Sequence, residues 1–111
     1  RILVQEKISF YLNKYKENHN IELKPSGRVA IRNTVSRWGS CSSKGNLNFS
    51  YRLSLLPQEL AEYIIVHELC HLKEFNHGQK FWDLVGLEIS DYAKLRAQLK
   101  KYSLRSLDSN K

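Results

Sequence analysis

Histidines are concentrated in one short segment of this 111-residue chain. Three of its four histidines lie in HELCHLKEFNH, residues 67–77. In a helix, His67 and His71 lie on one face, one turn apart, and can bind one metal ion together. Glu68 is rotated by roughly 100° from His67 around the axis, which suits it to proton transfer beside the metal. The HExxH spacing therefore predicts hydrolysis by a metal-activated water, with Glu68 as the general base.

A catalytic zinc site needs a third protein ligand and one open coordination position. His77, just beyond the expected end of the helix, is the first candidate if the chain turns back at Asn76. The weaker candidates are Glu74, Glu88 and Asp91. The metzincin pattern HExxHxxGxxH has glycine at the position of Glu74, and this chain has no methionine for a Met-turn. A standard metzincin is therefore excluded, and histidine ligands favour a single zinc ion.

Residues 57–74 must position this motif, and they are apolar almost all round near the middle of the segment. This pattern is typical of a buried, central helix. Amphipathic periodicity predicts three further helices, over residues 2–18, 79–88 and 91–104. Alternating side chains predict strands over 28–33 and 46–54, which we expect to pair antiparallel. The predicted fold class is α+β: an N-terminal helix, a strand pair, the central helix and two C-terminal helices.

Further residues extend the histidine segment into a pattern that is specific in combination. They are Arg37-Trp38-Gly39-Ser40-Cys41-Ser42, Gly45-Asn46-Leu47-Asn48, Leu55, Pro57, Tyr63, His67-Glu68-Leu69-Cys70-His71-Leu72, Asn76-His77 and Phe81-Trp82. With these residues the chain resembles the YgjP-like metallopeptidase family, which is related to the WLM and SprT-like zinc proteases. The resemblance implies a compact zincin core. It also implies one zinc ion held by His67, His71 and His77, with Glu68 as the general base.

The resemblance leaves the reaction open, because nucleotide pyrophosphatase activity has also been attributed to members of that family. Members usually carry a longer β-rich region before the catalytic core, whereas a single predicted helix precedes it in this chain. The sequence also lacks an initiator methionine. We therefore expect a minimal member or an excised domain, with residues 1–111 forming one catalytic domain.

Substrate contacts are expected near the second predicted strand. Residues 45–50 are expected to form an edge strand beside the metal, to which an extended peptide adds through main-chain hydrogen bonds. The residues expected to contact substrate are Trp38, Ser40, Asn46 and Asn48. Trp38 fits a core position as well. Cys41 and Cys70 are typical of buried thiols, and a disulfide between them is not expected.

The net charge of +7 is unevenly distributed. No Asp or Glu occurs from Leu23 to Gln58, where six Lys or Arg residues lie. Such a surface either keeps the protein solvated or binds anionic partners, namely nucleotides, nucleic acid or acidic peptides. The alternatives to a zinc peptidase are therefore a nucleotide phosphohydrolase and a DNA-associated protease module. The phosphohydrolase is disfavoured because neither GxxxxGK[ST] nor GxGxxG occurs.

Several features bear on location. No apolar run approaches membrane-spanning length. The N-terminal residues lack the pattern of a secretory signal, and two cysteines are too few for a disulfide framework. We therefore expect a cytoplasmic protein that acts on a peptide or protein, while its oligomeric state is not indicated by the sequence.

Overall fold

The computed structural model describes residues 4–25, 27–34 and 37–102. The elements are α1 (Val4–His19), β1 (Val29–Arg32), β2 (Gly39–Cys41), β3 (Leu47–Ser50), a 3₁₀ helix (Tyr51–Leu55), α2 (Gln58–Cys70), α3 (Gln79–Gly86) and α4 (Tyr92–Leu99). The predicted α+β class and the predicted order of helices are confirmed. The last helix ends at Leu99, earlier than predicted.

The sheet is mixed, with β3 as its central strand between β1 and β2. β1 runs parallel to β3, with Val29 opposite Leu47. The predicted antiparallel pairing of these two segments is therefore wrong. The antiparallel partner of β3 is β2, which lies inside the segment that we expected to be only a connection. Because β2 reverses the chain and β3 reverses it again, β1 and β3 point in the same direction.

The second predicted strand is shorter than its alternating pattern indicates. β3 ends at Ser50, whose Oγ accepts a hydrogen bond from Arg52 N at 3.1 Å and caps the following 3₁₀ helix. Tyr51 then points outward and is 46% exposed, while Leu53 is fully buried. The alternating apolar pattern of residues 46–54 therefore extends from β3 into the 3₁₀ helix and does not indicate a single strand.

Helix α2 lies at the centre of the core, as its sequence predicts. Every residue from Tyr63 to Cys70 is buried, because α1, α3, α4 and the strands β2 and β3 pack around the helix. The helix ends at Cys70 and not near Glu74 as predicted. Its last turn tightens into 3₁₀-type bonds, such as Leu72 N to Leu69 O at 3.0 Å.

Helix α1 covers one side of α2. Its buried residues are Val4, Ile8, Tyr11 and Tyr15. The Tyr15 hydroxyl donates to the backbone oxygen of Leu84 in α3 at 2.8 Å, which ties α1 to the helix that follows the histidine segment. Among the described helices, none has the length and apolar character required to span a bilayer.

Candidate metal centre

The end of α2 brings three histidines to one point. His67 lies in the last turn of the helix and His71 is its C-cap, so their side chains share one face. The chain then turns back, and His77 approaches from the loop before α3. His77 Nε2 lies 3.1 Å from His67 Nε2 and 3.1 Å from His71 Nε2. All three nitrogens lie within 4.8 Å of one another, so together they can hold a metal ion.

The spacing of these nitrogens fits a tetrahedral ion. Zn–N bonds of about 2.0–2.1 Å at tetrahedral angles separate two ligand nitrogens by about 3.3 Å. The two short nitrogen–nitrogen distances, 3.1 Å each, are close to that value. Within the part of the chain that the structure describes, no Cys, Asp or Glu joins this cluster. Three histidine ligands with a fourth position left for water or substrate are typical of a catalytic site.

Hydrogen bonds on the far side of two imidazole rings fix their orientation. His71 Nδ1 lies 3.1 Å from the backbone oxygen of Glu74. Because a carbonyl only accepts, Nδ1 carries the proton, and Nε2 of the neutral ring presents a lone pair to the cluster. His67 Nδ1 lies 3.3 Å from the hydroxyl of Tyr63, one turn earlier in α2. Burial raises the pKa of the Tyr63 hydroxyl well above its ordinary value, so this hydroxyl stays protonated beside His67.

Aromatic rings from α3 and α4 pack behind the histidines. Phe81 stacks on His71 with ring centroids 4.4 Å apart, and it meets His67 edge-on at 4.9 Å. Trp82 packs against His67 at 5.7 Å and stacks on Tyr92 at 5.0 Å. These rings limit the rotamers of the imidazoles and shield the back of the cluster from water.

Glu68 is fully buried and lies beside the histidine cluster. Strand β2 passes over it at Gly39, where an added Cβ would lie 3.2 Å from Glu68 Cγ. Glycine therefore permits the strand to approach the carboxylate side chain closely. Glu68 also lines a cavity of about 270 Å³, which is called the cleft below. It is lined by Arg37, Ser40, Cys41, Glu68, His71, Phe75, Asn76 and His77.

Only two of the four residues expected to contact substrate lie together. Ser40 and Asn48 are cross-strand neighbours that line a cavity on the sheet, and Ser40 also lines the cleft. Asn46 belongs to the turn before β3, where its Oδ1 accepts a hydrogen bond from Arg28 N at 2.6 Å. Trp38 is a core residue that is only 5% exposed.

The prediction of an edge strand at residues 45–50 is wrong, because β3 lies between two other strands. The strand beside the cleft is β2, which the sequence analysis missed. Backbone hydrogen bonds also join the residues that flank β2 to the β3 segment: Ser50 N donates to Trp38 O at 2.8 Å, and Ser42 N donates to Asn46 O at 2.9 Å. Bonded positions alternate along an antiparallel ladder, so the main-chain groups of Gly39 and Cys41 point away from β3. Among the described strands, β3 is the one that pairs with β2, so β2 lies at the edge of the sheet.

The weaker candidates for a third ligand lie elsewhere. Glu88 pairs with His19, with 2.7 Å between the carboxylate oxygen and the imidazole nitrogen. Glu88 and Asp91 both line a separate cavity. Glu74 contributes its backbone oxygen to His71, and its carboxylate is not part of the histidine cluster.

The two cysteines have different surroundings. Both are free thiols. Cys70 is buried against α1, with its Sγ 3.4 Å from the Tyr15 hydroxyl. Burial raises the pKa of the Cys70 thiol to about 12. Cys41 is partly buried and borders the cleft without joining the cluster of potential ligands.

Comparisons with known proteins agree with this architecture. The chain superposes on the crystal structure of a metallopeptidase zymogen, abylysin from Pyrococcus abyssi, with a TM-score of 0.73. The identity is 21%, over 96% of this chain and 100% of that chain, so the likeness concerns the fold. Curated protein sequences give no match. The family described as YgjP-like, metallopeptidase domain, matches residues 2–102. The chain therefore belongs to the YgjP-like metallopeptidase family, and it is a metal-dependent hydrolase of the peptidase class.

Proposed function

We propose that this protein is a zinc-dependent peptidase in which His67, His71 and His77 hold the zinc ion and Glu68 transfers the proton. One observation carries the proposal: one ring nitrogen from each of the three histidines lies within 4.8 Å of the other two, and Glu68 lines a cleft together with His71 and His77. Family membership supports the peptidase class. The geometry of the side chains supports the assignment of roles.

Zinc is the ion that this set of ligands favours. Magnesium and calcium take mainly oxygen ligands, whereas neutral imidazole nitrogens suit zinc. When bound, zinc polarises the substrate carbonyl and lowers the pKa of water to about 7. The Glu74 carbonyl supports this role because it directs the lone pair of His71 Nε2 to the cluster, and the Tyr63 hydroxyl supports it because it orients the ring of His67.

Glu68 acts on the proton in this proposal. Its carboxylate accepts a proton from the attacking water and then delivers it to the nitrogen of the leaving amine. A rigid position favours this transfer. That position is supported by the buried helix α2 on one side and by the close approach of Gly39 on the other.

Strand β2, the outer strand of the sheet beside the cleft, is the element that we expect to bind the peptide chain. The main-chain N–H and carbonyl of Gly39 point away from β3 and offer one donor and one acceptor that an extended peptide can match. Ser40 and Cys41 also line the cleft, so a peptide on this edge lies next to the histidines. Because β2 has three residues, we expect only a short stretch of substrate to be held in this way.

A product analysis tests the proposal. The protein is stripped of metal with a chelator, reloaded with zinc and incubated with a mixed pool of peptides and nucleoside triphosphates. Mass spectrometry then identifies the products. We expect peptide fragments in the zinc-loaded sample and none in the stripped sample. Zinc-dependent nucleoside monophosphates without peptide fragments would replace the peptidase by the nucleotide pyrophosphatase.

A further inference from the structure

A second cavity, called the outer-face cavity below, adjoins the cleft. Its volume is about 340 Å³. It is lined by Arg32, Thr34, Arg37, Gly39, Ser40, Asn48 and Ser50. This lining contains two guanidinium groups, several neutral polar groups and no carboxylate. It therefore has the composition of an anion-binding site.

The register of the sheet explains the polarity of this cavity. Leu47 and Phe49 of β3 are buried in the core, so the alternate residues Asn48 and Ser50 point to the opposite face. Ser40 is the cross-strand neighbour of Asn48 on that face. The outer-face cavity thus lies on the far side of the sheet from the core.

The two cavities meet at the edge of β2. Arg37 and Ser40 line both the cleft and the outer-face cavity. An extended peptide aligned beside β2, the outer strand of the described sheet, would lie about 4.8 Å from that strand. Side chains of the peptide that point to the outer face would then lie next to Ser40, within reach of the arginines.

The arginines are arranged to receive an anion. Arg32 Nε donates to Asn48 Oδ1 at 2.8 Å, which holds the guanidinium over the sheet and leaves its other donors for a ligand. Arg37 is exposed at the junction of the two cavities. Within the described residues, neither arginine forms an ion pair with a carboxylate. Two like charges on one cavity repel each other, and a bound anion relieves that repulsion.

We propose that the outer-face cavity is a subsite for a substrate carboxylate, so that the enzyme selects peptides with a carboxylate close to the scissile bond. The proposal rests on the peptidase function proposed above. It adds a class of substrate, namely acidic peptides, and two specificity residues, Arg32 and Arg37. The carboxylate is either an acidic side chain or the free C-terminus of the peptide, and the experiment separates these two sources.

Binding to an inactive holoprotein tests the subsite independently of turnover. Zinc-loaded Glu68→Gln protein is titrated with matched peptides that differ in one group: Glu or Gln inside the chain, and a free or amidated C-terminus. Dissociation constants are measured by calorimetry. We expect the better of the two carboxylates to tighten binding about tenfold over its neutral counterpart. The source that gives this gain identifies the natural group.

Arginine variants connect that gain to the cavity. Arg37→Gln and Arg32→Gln, each in the Glu68→Gln background, should remove the preference for the carboxylate while binding of the neutral peptide changes little. Lys94→Gln in the same background is the matched control, because it removes one positive charge from exposed α4, away from both cavities. A carboxylate preference that survives both arginine substitutions, or no preference in the parent protein, would overturn the subsite.

Cleavage by the Glu68-containing enzyme separates the two proposals. Zinc-dependent cleavage without a carboxylate preference would leave the peptidase standing and overturn the subsite. A carboxylate preference in binding that depends on the arginines would support the subsite, even if no peptide is cleaved and the peptidase fails. Tighter arginine-dependent binding of a nucleoside triphosphate than of any peptide would overturn the assignment to a carboxylate.

Discussion

Two buried tyrosine hydroxyls lie on different sides of helix α2, Tyr15 from α1 and Tyr63 from α2 itself, and their hydrogen-bond partners differ. On the side of α1, the Tyr15 hydroxyl donates a hydrogen bond to the Leu84 carbonyl at 2.8 Å and accepts one from the Cys70 thiol at 3.4 Å. Toward the cleft, the Tyr63 hydroxyl contacts His67 Nδ1 at 3.3 Å. The other nitrogen of that ring points into the histidine cluster. Both tyrosines are fully buried, and burial raises the pKa of both hydroxyls.

A polar group that is buried is not necessarily functional, because both hydroxyls are equally buried and only one lies beside a candidate ligand site. Around Tyr15, donors and acceptors of the protein pair with one another, and a ligand would add nothing. Beyond Tyr63, three imidazole nitrogens converge on one point, an arrangement that a shared cation stabilises. The hydrogen-bond partner of the hydroxyl therefore distinguishes the two tyrosines. Tyr15 contacts a backbone carbonyl, whereas Tyr63 contacts the ring of a candidate metal ligand.

Removal of His77 should have the largest effect on the cleft side. Structural zinc sites gain roughly 10–16 kcal/mol from four ligands, so we expect His77→Ala to weaken zinc binding roughly a hundredfold or more. Competition with a chromophoric chelator measures the affinity. Glu74→Gln is the matched control, since that carboxylate lies outside the cluster. If Glu74→Gln weakened binding and His77→Ala did not, the third ligand would be the carboxylate.

The close approach of β2 to Glu68 gives the next largest effect. Gly39→Ala places a Cβ 3.2 Å from both Glu68 Cγ and Phe49 Cδ1. We expect kcat/KM for a peptide to fall roughly tenfold to a hundredfold with zinc affinity preserved, because the carboxylate is displaced while the ligands are not. Gly78→Ala is the control, since nothing lies within 4 Å of a Cβ there. Equal losses in both variants would remove the role assigned to the approach of Gly39.

The two tyrosines test the comparison itself. We expect Tyr63→Phe to weaken zinc binding about tenfold, because His67 loses a partner that orients its ring. Tyr15→Phe should leave zinc affinity unchanged and lower the free energy of unfolding by about 1 kcal/mol through its lost hydrogen bonds. Chelator competition and urea unfolding of the metal-free protein provide the two values. Identical zinc affinities in both variants would contradict the claim that the Tyr63 hydroxyl supports zinc binding and the Tyr15 hydroxyl does not.

The cysteines give the smallest perturbation. Burial raises the pKa of Cys70 to about 12, against about 8.5 for an exposed thiol, so the folded protein keeps this thiol protonated at pH 8. We expect iodoacetamide to label Cys41 in the folded chain and Cys70 only after unfolding, as read by peptide mapping. Because the folded-state pKa is the higher one, the contribution of Cys70 to stability is complete below about pH 8.5 and is lost toward pH 12. Rapid labelling of Cys70 in the folded state would contradict this assignment.

The sequence predicts the local part of this molecule well. The apolar character almost all round residues 57–74 indicates the buried helix α2, and the spacing of His67 and His71 indicates their common face. The proximity of His77 was also predicted, although the turn was expected at Asn76 and the helix in fact ends at Cys70. The residues after Cys70 form 3₁₀-type hydrogen bonds, and the pattern of apolar residues does not distinguish such a turn from a further turn of α-helix.

The sheet was less predictable because its pairing is not local. β2 has only three residues, and its sequence Gly-Ser-Cys lacks the β-branched residues that indicate a strand. Without β2, the parallel direction of β1 and β3 and the edge beside the cleft could not be inferred. Alternation along residues 46–50 does predict that Asn48 faces away from Leu47 and Phe49. Its pairing with Ser40 depends on the register of β2, which no sequence pattern contains.

The central claim is that the histidines hold the metal while Glu68 moves the proton, and the Glu68→Gln variant tests it most directly. Zinc content per chain and kcat/KM for a peptide that the parent protein cleaves are measured for both proteins after zinc loading. We predict equal zinc content and a fall in kcat/KM of roughly 10²–10⁴-fold in the variant. Cleavage at the parent rate would contradict the role of Glu68, and loss of zinc from the variant would show that Glu68 is itself a ligand.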